Sequence, residues 1–153
     1  MNLNGAQFHL LINHFPVVGY PIVLLALLWG FLRKENQTFF FGIYLSVLIW
    51  VTTVISYLTG DEAEDVLQNL PDFNIDLIHT HEDTAFVALL MGSFFGLVGL
   101  CLLPIVQSKL TWLQNPQLQS RLKMGLIAGI FIICCALALA AHQGGLVRHT
   151  EIR

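Results

Sequence analysis

Charged side chains are scarce in this sequence. Only 11% of its 153 residues are Asp, Glu, Lys or Arg, and none of these occurs before Arg33. Further uncharged runs cover residues 36–60, 84–108 and 124–147, and the mean hydropathy is +0.70. Because soluble domains carry about 25% charged residues, this composition excludes an ordinary water-soluble domain and predicts an integral membrane protein.

The four uncharged stretches set the predicted architecture. Each is long enough for a helix of about 20 residues, which crosses roughly 30 Å of hydrocarbon. We therefore predict an all-α fold, a four-transmembrane-helix bundle forming a single membrane domain over residues 1–153, with spans at about 8–32, 38–59, 77–106 and 122–143. The first stretch lacks the basic segment of a signal peptide and is predicted to be retained. Pro16 and Pro21 are predicted to bend the first helix or delay its start.

Basic residues predict the orientation. Five lie near one side of the predicted bundle and two near the other, and the side richer in Lys and Arg normally faces the cytoplasm. We therefore predict a multi-pass protein of the bacterial inner membrane, with both termini and an acidic loop at 60–76 in the periplasm and a loop at 107–121 in the cytoplasm. A short surface helix is predicted at 61–70, and Asp76 is predicted to cap the third span. The five basic residues are Arg33, Lys34, Lys109, Arg121 and Lys123, and the two are Arg148 and Arg153.

Cysteine is also rare. Cys101, Cys134 and Cys135 fall inside apolar runs without polar neighbours, so packing thiols are a better interpretation than disulfides or metal ligands. The sequence contains no CxxCH motif, which excludes the usual covalent attachment of a c-type haem.

The sequence contains six histidines, and they are all predicted to lie on the same side of the membrane. All six histidines lie at or beyond the predicted periplasmic ends of the spans, and none lies in the cytoplasmic half. This distribution predicts a single site on the periplasmic side and argues against a second haem deeper in the membrane. The six are His9, His14, His79, His81, His142 and His149.

Helical phase separates the two histidines of the third span. Steps of three or four residues from His81 lead to a row of small residues, Ala85, Ala88, Gly92, Gly96 and Gly99. Small residues mark the face on which membrane helices meet, so His81 is predicted to point into the bundle. His79 lies about 200° away on the helix and is predicted to lie at the rim.

The chemistry that we favour is b-type haem. Two histidines from facing helices are the usual axial ligands of haem in a helix bundle, and His14 with His81 is the predicted pair. The protein would then move single electrons between the quinone pool and a periplasmic electron carrier or respiratory partner subunit. This makes it an electron-transfer or accessory subunit rather than a stand-alone enzyme, and no nucleic acid partner is predicted.

Other interpretations remain open. His9, His14, His81 and His149 with Glu82 offer nitrogen and oxygen ligands for a copper, zinc or iron ion. A histidine beside a carboxylate also suits a quinone or proton site, and Glu82 or Asp83 would orient an imidazole or stay solvated. The remaining alternative is a non-catalytic accessory or structural subunit, in which the histidines anchor helices.

The closing residues GGLVRHTEIR suggest a flap. Gly144 and Gly145 are predicted to let the chain leave the fourth helix and turn. Arg148 and His149 would then fold back over the periplasmic mouth, where Arg148 would bond to haem propionates or pair with an acidic group.

Four motifs carry a resemblance to a known group of proteins: NHFPVVG (13–19), TGDEAEDVLQNLP (59–71), HED (81–83) and GGLVRHTEIR (144–153). Together they resemble small four-helix bacterial inner-membrane proteins that have no assigned activity. The likeness extends over nearly the whole chain and implies the four-span fold. It also implies that some residues are better functional candidates than others. The favoured ones are His9, His14, His81, Glu82, Arg148 and His149, whereas His79 and His142 become weaker ligand candidates.

Overall fold

The computed structural model describes residues 4–69 and 74–148, and every regular element in these ranges is a helix. Four of the helices are long and apolar enough to span a membrane, which confirms the predicted all-α, multi-pass architecture. These four are α1, α2, α4 and α6. In chain order the elements are α1 (Gly5–Leu32), α2 (Asn36–Leu58), α3 (Gly60–Leu67), α4 (Ile75–Cys101), α5 (Pro104–Gln107), a 3₁₀ turn (Thr111–Gln114) and α6 (Pro116–Arg148).

The four long helices form a ring. Helix α1 packs against α2 and α6, and α4 packs against the same two helices, so α1 and α4 lie on a diagonal. We call one end of the bundle the histidine end, because His9, His14, His79, His81 and His142 all lie there. The opposite end, which contains residues 33–35 and the connection 102–115, we call the basic end.

Apolar side chains cover both the inside and the outside of the bundle. Val23, Leu27 and Ile43 are fully buried, while Leu25 and Leu97 are exposed over 67% and 63% of their surface. An apolar surface that surrounds the whole molecule would drive aggregation in water. Its exposure is explained by contact with lipid.

Helix α1 starts earlier than its prolines suggested. Asn4 caps it through its side chain, and Gln7 bonds back to the Asn4 backbone to complete a capping box. The helix then continues through Pro16 and Pro21. The predicted delay of the helix start is therefore wrong, because a cap ahead of the prolines begins the helix at Gly5.

The turn from α1 to α2 is a Schellman motif. The Glu35 N–H donates to the Gly30 carbonyl and the Lys34 N–H to the Phe31 carbonyl. Lys34 takes the left-handed position with φ of 56°, where glycine is more usual. The tight turn brings α2 directly against the end of α1.

Helix α4 is shorter than the predicted third span at its basic end. It begins at Ile75, where Asn74 accepts hydrogen bonds from the Asp76 and Leu77 N–H groups. The predicted cap, Asp76, is therefore wrong by two positions. The helix ends at Cys101, because Pro104 holds the preceding Leu103 in an extended conformation.

Helix α6 is longer than the predicted fourth span at both ends. Asn115 accepts from the Gln117 and Leu118 N–H groups, and Pro116 occupies the first helical position. At the histidine end the helix continues through Gly144 and Gly145 to Arg148. The predicted exit at these glycines is wrong: both take a helical conformation in which α6 lies against its neighbour.

Helix α3 confirms the short helix predicted in the acidic loop. It buries Ala63 and packs against α1, where the Gly5 backbone lies close to Glu62. Three of its four acidic side chains, Asp61, Glu62 and Asp65, are exposed, and Glu64 is half-buried. It therefore covers the start of α1 and presents negative charge at the histidine end.

The small face of α4 lies where helical phase placed it. Ala88, Gly92 and Gly99 are buried, and α4 contacts α6 and α2 along this side. A Cβ on Gly92 would lie 2.9 Å from the Tyr20 hydroxyl, whereas one on Gly96 would meet no atom within 4 Å. Close approach is thus required at some positions of the row and not at others.

Replacing Gly30 with Ala is expected to destabilise the bundle. The new Cβ would lie 2.5 Å from the backbone nitrogen and 2.8 Å from the Cα of Phe39. Backbone atoms of α2 cannot yield as a flexible side chain can, so the loss is about 1–3 kcal/mol. Thermal unfolding in detergent would measure it.

The matched control is Gly96→Ala, which adds the same methyl in open space. Alanine is the better helix former, so this variant is expected to keep or raise the melting temperature. Equal melting temperatures for the two variants would contradict the close contact between α1 and α2.

Candidate functional site

Two imidazoles define the candidate site. His9 on α1 and His81 on α4 are both half-buried at the histidine end of the bundle. Their helices are diagonal partners in the ring. The interior of the histidine end therefore contains two imidazoles from helices that do not pack side by side.

His81 points into the bundle, as its phase predicted. Its Nδ1 lies 2.8 Å from the Ala140 carbonyl oxygen on α6. Because a carbonyl oxygen only accepts, Nδ1 carries a proton, and the ring is oriented by α6. In the neutral ring, Nε2 is the nitrogen that a metal would bind.

His9 has the same arrangement with a different partner. Its Nδ1 lies 3.1 Å from the Thr59 hydroxyl, and that hydroxyl donates its own proton to the Ser56 carbonyl at 2.9 Å. With that hydrogen used, the Thr59 oxygen accepts and the His9 Nδ1 donates. The Nδ1 of each interior histidine is thus hydrogen-bonded within the protein.

The other described histidines face outward. His14 is exposed, and its Nδ1 bonds to the Leu10 carbonyl of its own helix. Five residues along a helix turn the side chain by about 140°, so His14 and His9 point in different directions. His79 is exposed, which confirms its predicted place at the rim, and His142 is exposed as well. The pairing of His14 with His81 stays a prediction.

Carboxylates do not orient the two interior rings at Nδ1. Glu82 is half-buried and Asp83 is exposed. The role that the sequence suggested for them is filled by the Thr59 hydroxyl and the Ala140 carbonyl, which are the Nδ1 partners. Ala140 was missed because a backbone carbonyl has no residue signature, and Thr59 because it follows the last residue of α2.

Gly144 is a further member of the site. A Cβ at this position would lie 3.2 Å from Cε1 and 3.4 Å from Nδ1 of His81. Because glycine has no side chain, the His81 imidazole can lie directly against α6 at this position. The glycine pair was predicted to end the helix, but Gly144 is helical and allows this close contact.

Metal-binding groups are few. Within residues 4–69 and 74–148, no three His, Cys, Asp or Glu side chains are grouped so that they hold an ion. His149 and the side chain of Arg148 lie outside the part of the chain that is described, so their predicted roles stay predictions. The described site offers two imidazole ligands.

Substitution of Gly144 by Val is expected to displace the His81 ring from the Ala140 carbonyl. The wild-type protein should show His81 as the Nδ1–H tautomer, and Gly144→Val should shift it toward a mixture of tautomers. Two-bond ¹⁵N–¹H correlation spectra of histidine-labelled protein distinguish the two forms, and loss of the signal in His81→Gln assigns it.

Gly145→Val is the control, because a Cβ there meets no atom within 4 Å. It carries the same helix-propensity cost one residue along α6 and is expected to leave the His81 signal in place. An Nε2–H tautomer in the wild type, or an equal response to both variants, would contradict the hydrogen bond to Ala140.

Comparison of this chain with protein families, with curated proteins and with solved structures finds no match. The functional argument therefore starts from the two imidazoles, their partners and the membrane around them.

Proposed function

We propose that this protein is a membrane-bound b-type haem protein that moves single electrons at the histidine end. The observation that supports it is that His9 and His81, both half-buried at the histidine end, are each held at Nδ1 by a group of the protein. A histidine that ligates a metal through Nε2 is held in the same way by a hydrogen bond at its other nitrogen. His9 thereby replaces His14 as the favoured partner of His81.

The number of ligands favours haem over a bare ion. A porphyrin supplies four nitrogens, so two imidazoles complete the coordination of its iron. A structural zinc site needs four protein ligands and a catalytic one needs three. The described residues offer two imidazoles and no group of three, which fits axial ligation better than a protein-only copper, zinc or iron site.

The α4 residues that follow His81 on its face are small, with Ala85 half-buried and Ala88 fully buried against the neighbouring helices. A macrocycle would therefore lie at the level of His81 and Ala85, nearer the end of the bundle than Ala88. When bound, haem supplies one-electron chemistry, and the chain contributes the two imidazoles and their fixed orientation.

Electron partners follow from location and charge. A site at one end of the bundle is open to a quinone in the bilayer and to a partner at the surface. Helix α3 exposes Asp61, Glu62 and Asp65 beside it, and such a surface attracts a basic carrier or subunit. We propose exchange of single electrons between the quinone pool and a periplasmic carrier or respiratory partner subunit.

The proposed location is the bacterial inner membrane, with the histidine end in the periplasm. Arg33, Lys34, Lys109, Arg121 and Lys123 all lie at the basic end. Lysine and arginine of short loops accumulate on the cytoplasmic side. Four crossings place residues 4 and 148 on one side, which under this proposal is the periplasmic side.

A structural or accessory role is the second candidate, and the same hydrogen bonds favour it. His9 to Thr59 joins α1 to the end of α2, and His81 to Ala140 joins α4 to α6. These two links join the four helices in two pairs at the histidine end. This role requires the Nδ1 bonds but leaves both Nε2 atoms unused, which is why haem is preferred.

Purified protein from haem-supplied cells is expected to show a Soret band and, after dithionite reduction, the sharp α band of a low-spin haem with two histidine ligands. His9→Ala and His81→Ala should each abolish most of the low-spin signal, because each removes one axial ligand. His79→Ala on the exposed side of α4 is the control and should leave the spectrum unchanged.

His14→Ala separates the two ligand pairs. Loss of the low-spin signal in His14→Ala, with retention in His9→Ala, would support His14 with His81 and reject His9. A wild-type protein with no Soret band would reject haem altogether. Near-stoichiometric copper, zinc or iron in that case would support the ion site, and co-purification with a larger complex would support the accessory role.

Fusions to the two chain ends test the orientation. Alkaline phosphatase, which is active only in the periplasm, is expected to be active on either end, and green fluorescent protein to fluoresce when joined within residues 107–115. The reverse pattern would invert the protein and place the histidine end in the cytoplasm.

A further inference from the structure

An apolar groove lies between α1 and α6 at the basic end of the bundle. It has a volume of about 400 Å³ and is lined by apolar side chains of these two helices. On α6, Ala128 contributes only a methyl group between the longer side chains of Met124 and Phe131, so the wall is recessed there. On α1, the wall includes Leu24, Leu28 and Leu32.

The groove matches the depth of one lipid leaflet. Leu24 and Leu32 are eight residues apart on α1, and a rise of 1.5 Å per residue makes this wall about 12 Å long. One leaflet contributes about half of the roughly 30 Å of hydrocarbon in a bilayer. Leu32 at the basic end of the wall is 73% exposed, so a lipid of the adjacent leaflet can reach the groove from the side.

An arginine follows each wall of the groove at the basic end. Arg33 comes directly after Leu32 on α1. Arg121 precedes Met124 by three residues, which is about one turn of α6. Residues three and seven positions apart share a helix face, so Arg121 continues the face of Met124 and Ala128. Both arginines are exposed, and the mouth of the groove has positive charge on each side.

The Arg33 side chain is held in place on α1. Its guanidinium carbon lies 5.7 Å from the centre of the Trp29 ring, and Trp29 is 58% exposed. A guanidinium above an aromatic ring uses its flat face and keeps the N–H groups at its edge. Those N–H groups suit two oxygens of a phosphate.

Acidic groups do not neutralise this end of the bundle. Within residues 4–69 and 74–148, no carboxylate forms an ion pair with Arg33 or Arg121. Five Lys and Arg residues lie at the basic end against a single acid, Glu35. Glu35 accepts a hydrogen bond from the Thr38 hydroxyl at 3.1 Å. The charge at the mouth of the groove therefore calls for an anion from outside the chain.

We propose that the groove binds an anionic phospholipid, with an acyl chain between α1 and α6 and the phosphate bonded by Arg33 and Arg121. Charge complementarity selects this occupant over a zwitterionic lipid or an apolar helix, because the net charge of both is zero. Basic pockets between transmembrane helices bind anionic headgroups in the same way. The lipid joins α1 to α6 at the end opposite the histidines, so the site does not depend on haem.

Native mass spectrometry of the protein released from detergent micelles tests the proposal. The protein is incubated with equal amounts of dioleoyl phosphatidylglycerol and dioleoyl phosphatidylethanolamine, which have the same acyl chains and differ in headgroup charge. The wild type is expected to retain one phosphatidylglycerol in preference to phosphatidylethanolamine.

Charge variants test the headgroup contacts. Arg33→Gln and Arg121→Gln should each lower the preference about five-fold, the factor expected for one basic residue at an anionic surface. Lys109→Gln is the matched control, because it removes the same charge at the basic end from the connection between α4 and α6. It should leave the preference unchanged.

Variants that fill the groove test the acyl-chain contacts. Ala128→Phe should reduce retention of both lipids, because the ring occupies the recess in the α6 wall. Ala138→Phe places the same ring at an exposed position of α6 outside the groove and should not. Met124→Trp, also in the wall, is the second variant should Ala128→Phe fail to fold.

Equal retention of the two lipids by the wild type would overturn the proposal, as would an equal response of Lys109→Gln and Arg121→Gln. A dimer that Ala128→Phe abolishes would assign the groove to a second copy of the chain and overturn it too. The result is separable from that of the haem proposal: a preference for phosphatidylglycerol in a protein with no Soret band would keep the lipid site and reject haem.

Discussion

The absence of water inside a membrane is the constraint on which this structure depends. Every polar group in the hydrocarbon must find a partner within the protein. Most hydroxyls of the long helices do so locally: Thr53, Thr84 and Ser93 each donate to a carbonyl of their own helix one turn earlier. Side-chain hydrogen bonds from one helix to another are less common than these local bonds. Two of them, from His9 to Thr59 and from His81 to Ala140, lie at the histidine end.

The two ends of the bundle are held together in different ways. At the basic end, Gly30 brings α1 against the backbone of α2, and Lys123 covers the Phe39 ring at 4.9 Å from its centre. The first contact depends on shape and the second on the charge of the ammonium above the ring. At the histidine end, imidazoles, a hydroxyl and a carbonyl make the contacts. A ligand is accommodated more readily where directional bonds replace close packing.

Much of the fold could be predicted from the sequence, because the hydrophobic period and the scarcity of charge report directly on lipid. The inward direction of His81 and the outward direction of His79 followed from helical phase alone. Which of His9 and His14 faces the interior did not follow, since it depends on how α1 is rotated against α2, and the contact with Thr59 reveals that rotation. Local propensity misled at Gly144 and Gly145, where the helix continues and Gly144 packs against His81 of α4.

The helix ends show a similar limit. Asp76 is a good cap by residue type, but Asn74 lies two positions earlier and serves instead. Pro16 and Pro21 suggested an interruption that the surrounding helix absorbs. In each case several local signals compete, and residue type alone does not indicate which of them acts.

The length of α6 has a mechanical consequence. Its 33 residues extend about 50 Å, well beyond the roughly 30 Å of the hydrocarbon layer, so part of the helix projects into the aqueous phase. Because Ala140 and Gly144 lie near one end of this helix and contact His81 of α4, any sliding of α6 along α4 would carry the hydrogen-bond acceptor away from the imidazole. The registry of these two helices therefore sets the orientation of the ring.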